Sequence, residues 1–417
     1  MHIRAEVITV GTEILLGEIL NTNTRYLSKR CAEKGIDVYH HVTVGDNHDR
    51  LRECLIAART RADLILVTGG IGPTPDDITR EAVADVWGQK LILDPNLLHR
   101  MECFYAHRSL NMTANNKRQA LIPRGAVPLK NERGTAPGFF LHDQMGSVAC
   151  LPGPPDEMEP MFSESLIPLL KKYAMLPSTQ LFTRDIRTAG IGESALASEI
   201  DSLLRNQSDP TLATYAGEGM VRVRLATRAR TPSEAQEKFA PVTRRVEEIL
   251  GSHVYGYDDD SLPGAVGEVL RSRELTLAVA ESCTGGLLGE MITQAPGASD
   301  YFKGGIICYA NAVKMGSLGV EEDLLLRHGA VSEPVAAAMA EGVMRALDAS
   351  VSIAVTGVAG PGGGSDEKPV GTVALAFGGP WGVVTQRRVF SGSRQSIRRI
   401  SAISALVRLR ELILDKC

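Results

Sequence analysis

The 417-residue sequence has no CxxC pair, no block of basic residues and no apolar run long enough to span a membrane. Its seven cysteines are scattered, which argues against a thiolate metal site and is typical of reduced thiols in a cytoplasm. Acidic and basic residues are mixed along the chain and the net charge is −4, so neither nucleic acid nor a membrane surface is indicated as a partner. The N-terminal stretch MHIRAEVITVG lacks the long apolar core of a signal peptide. These absences leave a cytoplasmic globular protein, whose length predicts about two or three domains.

The first part of the chain alternates short apolar runs with helical patterns. Residues 7–10, 36–44 and 64–67 have the pattern of buried strands, and helices are predicted between them. This alternation predicts a mostly parallel sheet covered on both faces. Ligands of such folds bind beyond the carboxyl ends of the strands, so the polar turns at Gly11, Asp46 and Gly69 should lie on one rim.

The turn TGGIGPTPDD, residues 68–77, is the most informative one in this part. Thr74 is a natural N-cap, Pro75 fits the first helical position, and Asp76 and Asp77 would follow in the first turn. The two acids could simply complement the helix dipole, at about 0.3–1 kcal/mol each. The glycines favour a second interpretation, because a glycine-lined helix start attracts phosphate, which the carboxylates would repel. A divalent cation between acids and phosphate removes that conflict.

The middle segment has the pattern β-α-β-β-α-β, which predicts a small split α+β layer. It lacks the GXXG loop that nucleic-acid-binding KH domains place between two helices. Four arginines alternate along one predicted strand, which is also how a solvated face looks; they are Arg222, Arg224, Arg228 and Arg230. We therefore favour a spacer or dimerisation module over RNA binding.

The stretch LAVAESCTGGLL, residues 277–288, places Ser282 at a predicted strand-to-helix turn. Ser282 could be only an N-cap, or a nucleophile with the first helical amides as oxyanion donors. His328 is the only histidine of the third domain, so few residues there could serve as the base of a Ser-His-Asp triad. Lys314 could instead form a Ser-Lys dyad with Ser282. As a base, Lys314 would need its pKa lowered from about 10.4 toward about 7, at a cost of about 4 kcal/mol. Tyr309 could relay the proton; alternatively, Lys314 is a surface lysine at a helix start.

Two later features could hold an anion. The loop at residues 357–364 is rich in glycine and either binds phosphate through its amides or is a flexible connection. Arg394 and Arg398, four residues apart on the last predicted helix, can present two cations on one face.

Four motifs in the first 170 residues are specific enough to indicate a family. GGIGPTPDD, NNKRQA, NERGTAPG and LPGPPDEM together resemble the molybdopterin-binding-like domain at the front of the CinA family (competence/damage-inducible protein A). The resemblance implies ADP-ribose pyrophosphatase activity, which yields AMP and ribose 5-phosphate, with a divalent metal (Mg, Mn or Co); distant relatives bind molybdopterin. It implies that Asp76 and Asp77 are the metal-side residues and that Lys117 and Gln119 contact phosphate or ribose. The residues that it implies as lining the ligand pocket are Glu13, Asn23, Asp46, Gly69, Gly70 and Thr74.

The remaining segments resemble the same family. The middle segment is similar to its KH-like module. The motifs AESCTGG, YANAVK, HGAVSE, TGVAGPGGG, KPVGTV and SGSRQSIR occur in this order and resemble its C-terminal nicotinamide-nucleotide amidohydrolase domain. This implies hydrolysis of nicotinamide mononucleotide to nicotinic acid mononucleotide and ammonia, without a cofactor. It implies Ser282 as nucleophile, Lys314 as base and Tyr309 as its assistant, and as substrate contacts Thr284, Gly285, Gly360, Arg394 and Arg398.

We therefore predict an α/β protein with three domains: a molybdopterin-binding-like domain at 1–172 with a mostly parallel sheet, a KH-like α+β module at 175–256 and an α/β amidohydrolase domain at 260–417. It is expected to be a cytoplasmic homodimer that acts on nicotinamide mononucleotide and ADP-ribose and binds neither membrane nor nucleic acid. Two alternatives remain for the first domain: a non-catalytic ligand-binding module in competence or DNA-damage response, and molybdenum-cofactor-type binding.

Overall fold

The computed structural model describes residues 3–144, 146–217 and 219–417. The chain divides into two compact units, one of residues 1–182 with 228–236 and the other of residues 183–227 with 237–417. The fold is mixed α/β, with a mostly parallel sheet in the first unit, as the sequence predicts. Within the described ranges, no helix combines the length and the apolar character needed to cross a bilayer.

The first unit is built around a six-stranded sheet. Its strands, together with the short β4–β5 pair, are β1 (Ile3–Val10), β2 (Ile36–Val44), β3 (Leu64–Thr68), β4 (Leu91–Leu93), β5 (Leu121–Pro123), β6 (Val127–Leu129), β7 (Gly138–Asp143) and β8 (Gly146–Leu151). The strand order is β2-β1-β3-β8-β7-β6, and the first four strands are parallel. β7 and β6 complete the sheet as antiparallel strands.

Helices cover both faces of this sheet, and two apolar clusters, one on each side, form the core. They are α1 (Thr12–Leu15), α2 (Thr22–Glu33), α3 (His48–Arg59), α4 (Thr79–Val86), α5 (Pro95–His107), a 3-10 helix (Ala114–Ala120), α6 (Pro155–Pro160), a π-helical segment (Met161–Leu166) and α7 (Ile167–Lys172). The predicted cap of α2 is present, since Asn21 accepts a hydrogen bond from the Thr24 amide at 3.0 Å. The carboxyl ends of the parallel strands meet at one edge, where the predicted ligand turns lie.

The helix start predicted at Thr74 to Asp77 is wrong. α4 begins only at Thr79, and the preceding residues form a non-helical loop. The Asp77 carboxylate closes this loop by accepting hydrogen bonds from the Gly72 amide (2.7 Å) and from the amide and hydroxyl of Thr74 (2.8 and 2.5 Å). These charge-assisted hydrogen bonds satisfy donors of the loop itself, so the loop is stable without helical geometry.

The middle segment has the predicted order of elements, with its first helix split into two short ones. The elements are β9 (Gln180–Thr188), α8 (Glu193–Glu199), α9 (Asp201–Arg205), β10 (Thr211–Gly217), β11 (Met220–Ala229), α10 (Pro232–Leu250), a 3-10 turn (Gly251–His253) and β12 (Val254–Tyr257). Its sheet has the order β10-β11-β9-β12. Arg222 and Arg224 of β11 both pair with the buried carboxylate of Asp185, at 3.1 and 2.6 Å. Two of the four alternating arginines therefore neutralise an internal acid, rather than forming an open basic strip.

The C-terminal segment folds around a five-stranded sheet of order β14-β13-β15-β16-β17. Its elements are α11 (Leu262–Ser272), β13 (Leu277–Glu281), α12 (Leu287–Thr293), a 3-10 turn (Ala298–Asp300), β14 (Phe302–Ile307), α13 (Asn311–Leu318), α14 (Glu322–His328), α15 (Glu333–Leu347), β15 (Val351–Gly357), β16 (Thr372–Gly379), β17 (Gly382–Val389) and α16 (Arg394–Lys416). β13, β14 and β15 are parallel, whereas β16 and β17 are antiparallel to their neighbours. The segments that follow β13, β14, β15 and β17 consequently leave the sheet at the same edge.

Candidate active sites

The second unit brings Ser282 and Lys314 into contact at the carboxyl edge of its sheet. Ser282 follows the buried strand β13, and Lys314 lies on α13, just after β14. Lys314 Nζ is 3.2 Å from Ser282 Oγ. Only 8% of the serine and 1% of the lysine are exposed, so Lys314 is not the surface lysine that its position at a helix start could have indicated. The geometry therefore provides a hydroxyl and an amine within proton-transfer distance, shielded from water.

Lys314 Nζ lies in a desolvated site, in contact with three oxygen atoms. Burial lowers the pKa of the Lys314 ammonium below its ordinary value, because desolvation disfavours the charge. Besides Ser282, Nζ contacts the carbonyl oxygens of Cys308 at 2.8 Å and Tyr309 at 3.2 Å. A neutral amine has two N–H donors and one lone pair. In the ammonium form Nζ donates to Ser282 Oγ as well as to the two carbonyls. In the neutral form the two carbonyls can take both N–H donors, so the lone pair can accept the hydroxyl proton of Ser282.

Tyr309 contacts the lysine through its backbone and not through its phenol. Its side chain is 61% exposed, and its hydroxyl accepts a hydrogen bond from Arg394 Nη2 at 3.2 Å. The relay through the Tyr309 hydroxyl that the sequence suggested is therefore not the arrangement present. The carbonyl of Tyr309 orients the amine of Lys314, and the phenol lies with Arg394 on the wall of the site.

A cavity of about 280 Å³ opens beside the pair. Arg394, at the first position of α16, lines it and donates to the Gly360 carbonyl at 2.7 Å. No carboxylate among the described residues lies within ion-pair distance of Arg394, so its charge remains available to an anion. Asn311 and Thr356 also line the cavity, although sequence analysis did not single them out. The spacing of Asn311 from Lys314, one helical turn, could have indicated it.

Three predicted substrate contacts are not among the described residues that line this cavity; they are Thr284, Gly285 and Arg398. Arg398 donates from Nε (3.2 Å) and Nη2 (2.5 Å) to the carbonyl oxygen of Thr284, whose side chain is fully buried. Gly285 adopts a positive φ of 59° in the same turn. Arg398 lies one helical turn further from the cavity than Arg394, so it reaches the back of the turn. The structure thus gives Thr284, Gly285 and Arg398 a role in shaping the Ser282 turn.

The oxyanion donors predicted for Ser282 are taken by another residue, Glu281. α12 begins at Leu287, five residues after the serine, so Ser282 is not its N-cap either. The carboxylate of Glu281, 2% exposed, accepts hydrogen bonds from the amides of Gly286 (2.9 Å), Leu288 (3.0 Å) and Gly289 (2.8 Å). Glu281 was not predicted from the sequence, although an acid between a buried strand and a Gly-Gly turn is a recognisable pattern.

The first unit has a cavity of about 420 Å³ at the carboxyl edge of its parallel strands. Four of the predicted pocket residues that line this cavity are not acidic: Gly69, Gly70, Thr74 and Gln119. Five carboxylates line it as well, of which Glu157 was not predicted; they are Glu13, Asp46, Asp76, Asp77 and Glu157. None of the described lining residues is lysine or arginine. The cavity is therefore strongly acidic, which by itself disfavours a phosphate.

Two predicted pocket residues lie elsewhere. Asn23 lines a neighbouring cavity and is 93% buried; its Nδ2 donates to Thr68 Oγ1 (2.9 Å) and to the Gly153 carbonyl (2.7 Å). It thus connects α2 to the end of β3 and to the loop after β8. Lys117 is exposed and does not line the acidic cavity. Its place on a 3-10 helix, whose neighbouring residues face different directions, explains why Gln119 points inward and Lys117 outward.

A buried arginine supports the glycine loop from behind. Arg80, 2% exposed, donates to the carbonyls of Ile71 and Gly72. Desolvation lowers the pKa of Arg80 to about 10. Arg118 holds the same loop through the Thr74 carbonyl at 3.3 Å. The support that Arg80 and Arg118 give to the glycine loop was not predicted from the sequence, because it depends on tertiary contacts alone.

The donors of the acidic cavity fit a hard divalent cation. Carboxylate oxygens are the preferred ligands of Mg²⁺ and Mn²⁺. In the described part of the chain, no three carboxylate, imidazole or thiol groups come close enough to enclose an ion by themselves. Phosphate oxygens and water would therefore complete the coordination shell, as is common for Mg²⁺. Asp76 and Asp77 would hold the ion, and the ion would neutralise charge on the phosphates.

A buried Ser-Lys pair at the edge of one α/β sheet and an acidic, glycine-lined cavity at the edge of another define an α/β protein with two candidate sites. Residues 6–172 match the probable molybdopterin binding domain, residues 183–256 the damage-inducible protein CinA KH domain, and residues 259–413 the CinA C-terminal domain. The chain belongs to the CinA family of competence/damage-inducible proteins.

Full-length relatives show the same membership. A putative competence-damage inducible protein of Symbiobacterium thermophilum is 48% identical over 98% of this chain and 99% of its own length. One from Moorella thermoacetica is 46% identical over 99% of this chain and all of its own. The crystal structure of a competence/damage inducible protein from Agrobacterium tumefaciens is 36% identical, covering 37% of this chain and 96% of its own, with a TM-score of 0.35.

Proposed function

We propose that the second unit hydrolyses nicotinamide mononucleotide to nicotinic acid mononucleotide and ammonia. The observation that carries this proposal is the contact of Lys314 Nζ with one hydroxyl and two carbonyls, in a site where burial lowers the lysine pKa. Such an amine can deprotonate Ser282, which a carboxamide requires because it is a poor electrophile. Ammonia release by the purified protein, with the nucleotide as the only substrate, tests it.

The reaction has two stages. Ser282 Oγ attacks the carboxamide carbon while its proton passes to Lys314 Nζ. When the tetrahedral intermediate collapses, the C–N bond breaks and the lysine returns the proton to the departing nitrogen, which leaves as ammonia. Water, deprotonated by the same amine, then hydrolyses the ester, which yields the carboxylate and restores Ser282. Glu281 binds the amides of Gly286, Leu288 and Gly289, whereas Cys283 lines the cavity next to Ser282. The Cys283 amide is therefore the turn's candidate for stabilising the oxyanion.

We expect the rate of deamidation to rise with pH. The reactive form is the neutral amine of Lys314, and its fraction increases as pH rises through the lysine pKa, which burial places below the ordinary 10.5. The kcat/KM for ammonia release should therefore follow a single ascending limb with its midpoint below 10.5. Lys314→Arg should remove the activity at every pH, because arginine stays protonated. A flat or descending limb in the native protein would contradict this role.

Arg394 is expected to bind the phosphate of the nucleotide. Arg394→Ala should raise KM for nicotinamide mononucleotide by about 10- to 100-fold, the effect of a lost charged hydrogen bond. Its kcat should change far less, because Arg394 does not contact Ser282 or Lys314. The matched control is Arg327→Ala, which removes an exposed arginine paired with Asp323 in the same unit. Nicotinamide riboside, which has no phosphate, should not discriminate between native protein and Arg394→Ala.

For the first unit, we propose metal-dependent hydrolysis of ADP-ribose to AMP and ribose 5-phosphate. The acidic cavity supports this second candidate: it contains glycine loops for close approach of a ligand and five carboxylates that a divalent cation would offset. The cation supplies charge neutralisation and an activated water, whereas the chain's own residues fix its position and the loop. AMP release that depends on Mg²⁺, Mn²⁺ or Co²⁺ tests the proposal. Tight molybdopterin binding without cleavage would favour cofactor-type binding. If neither AMP release nor molybdopterin binding is observed, a non-catalytic docking module is favoured.

The proposal includes a cytoplasmic homodimer in which the middle segment is a spacer or dimerisation module. The pairing of Arg222 and Arg224 with Asp185 supports this over RNA binding, because the acid engages both guanidinium groups and offsets one of their two charges. Sedimentation of the protein alone and with single-stranded RNA distinguishes the two.

A further inference from the structure

We propose that Glu281 is a positioning residue that holds Ser282 and Lys314 at their reactive separation. The inference rests on the proposed amidase activity. The Glu281 carboxylate, 2% exposed, accepts three amide hydrogen bonds of 2.8–3.0 Å from the start of α12. Ser282 is the next residue along the chain. The last residue of β13 thus closes the segment between the strand and the helix, and Ser282 lies inside the closed turn.

The backbone of Glu281 connects the serine to the other half of the pair. Its carbonyl oxygen accepts a hydrogen bond from the Cys308 amide at 2.8 Å, and the Cys308 thiol also approaches it, at 3.5 Å. The carbonyl of Cys308 in turn contacts Lys314 Nζ at 2.8 Å. Glu281 therefore holds the turn that contains Ser282 through its side chain. Through its main chain it holds Cys308, whose carbonyl contacts Lys314.

The carboxylate has no other compensation in the described part of the chain, since no lysine, arginine or histidine there lies within ion-pair distance of Glu281. The three amides therefore stabilise its charge, and the charge orients the amides. α12 has only seven residues, too few to form a stable helix alone. Gly285 and Gly286, with φ of 59° and 96°, give the turn a conformation that few other residues adopt. Without the carboxylate, this turn would lose the contacts that determine its shape.

Glu281→Gln tests the inference, because glutamine keeps the size of the side chain but replaces one acceptor oxygen with a donor that faces backbone N–H groups. We expect kcat for ammonia release to fall by about 10- to 100-fold, as for a small displacement of a reacting group, with KM within about twofold of native. Glu281→Asp keeps the charge on a shorter side chain and should recover part of the loss. Glu290→Gln, an exposed acid on α12, is the matched control and should remain native in kcat.

The rate at which a fluorophosphonate labels Ser282 provides a readout that does not depend on the substrate. Native protein should be labelled at Ser282, and Glu281→Gln more than about tenfold more slowly. If native protein is labelled but releases no ammonia, the proposed amidase fails while slower labelling of the variant still supports positioning. Equal labelling rates, a native kcat in Glu281→Gln, or a native serine that neither labels nor turns over would overturn the inference. Loss of the native circular dichroism in Glu281→Gln moves the decision to Glu281→Asp, which must then show a partial fall in kcat, below the native value, without a change in KM.

Discussion

Ser282→Ala is expected to abolish ammonia release from nicotinamide mononucleotide, with a fall in kcat on the order of 10³–10⁶-fold. Among the residues that the structure describes, the hydroxyl of Ser282 is the only group at hydrogen-bond distance from Lys314 Nζ that can act as a nucleophile, since the other two contacts are backbone carbonyls. Substrate should still bind, because Gly360 and Arg394 line the cavity independently of the serine. Kinetics of ammonia release, with nucleotide binding by calorimetry, measure both expectations.

Lys314→Ala should cause nearly the same loss, and the double variant should be little worse than either single one. Because Ser282 and Lys314 act as a unit, removing the second residue should lower kcat little further once the first is gone. Lysine removal also leaves a cavity in a buried site, which can destabilise the fold. Lys314→Met fills that space without a base and separates the two effects. Ser299→Ala, at an exposed serine of the same unit, is the control. Losses that multiply in the double variant, or near-native turnover by Ser282→Ala, would refute the dyad.

The second large effect concerns the first unit. Asp77→Ala is expected to abolish ADP-ribose cleavage, by about 10³-fold or more, while ammonia release continues at the native rate. Part of this loss would come from the loop, since the Asp77 carboxylate holds Gly72 and Thr74. Asp77→Asn keeps an acceptor oxygen and removes the charge, so it should be inactive if the charge binds metal and active if only the loop matters.

Asp76 provides a cleaner test of the metal. Asp76 lines the acidic cavity, and no hydrogen-bond donor among the described residues contacts its carboxylate. Asp76→Asn should therefore lower cleavage and weaken the dependence on Mn²⁺ concentration without altering the melting temperature. AMP release measured across a metal titration, and after EDTA, gives both quantities. Native cleavage in EDTA, or in both Asp76→Asn and Asp77→Ala, would rule out this role for the pair.

Strand positions were predictable because buried strands have a local signature. The run from Ile36 to Val44 and the run at Leu64 both form strands where periodicity places them. The order of strands and helices also implied that the polar turns would share an edge, and Gly11, Asp46 and Gly69 do line one cavity. These conclusions need only the apolar pattern and the rule that parallel strands end on the same side.

Helix starts at the two sites were less predictable, because acidic side chains form hydrogen bonds with backbone amides there. Thr74 and Ser282 both look like N-caps, yet the Asp77 carboxylate bonds back to Gly72 and Thr74, and the Glu281 carboxylate binds the amides at the later start of α12. Intrinsic capping preferences do not include such competitors. The sequence also could not show which of Arg394 and Arg398 lines the cavity, because both lie on one helical face. Only the packing of the helix shows that Arg394 reaches it.

The sequence by itself determined the α/β class, the edge on which the ligand turns gather, and the residue types available for chemistry: a serine and a lysine in one segment, paired acids and glycines in another. Only the tertiary structure decided which side chains meet. It buried Lys314 against two carbonyls, turned the phenol of Tyr309 toward Arg394, and placed Arg80 behind the glycine loop. The physical reason is that periodicity depends on neighbours along the chain, whereas desolvation and hydrogen-bond competition depend on groups that are distant in sequence and close in space.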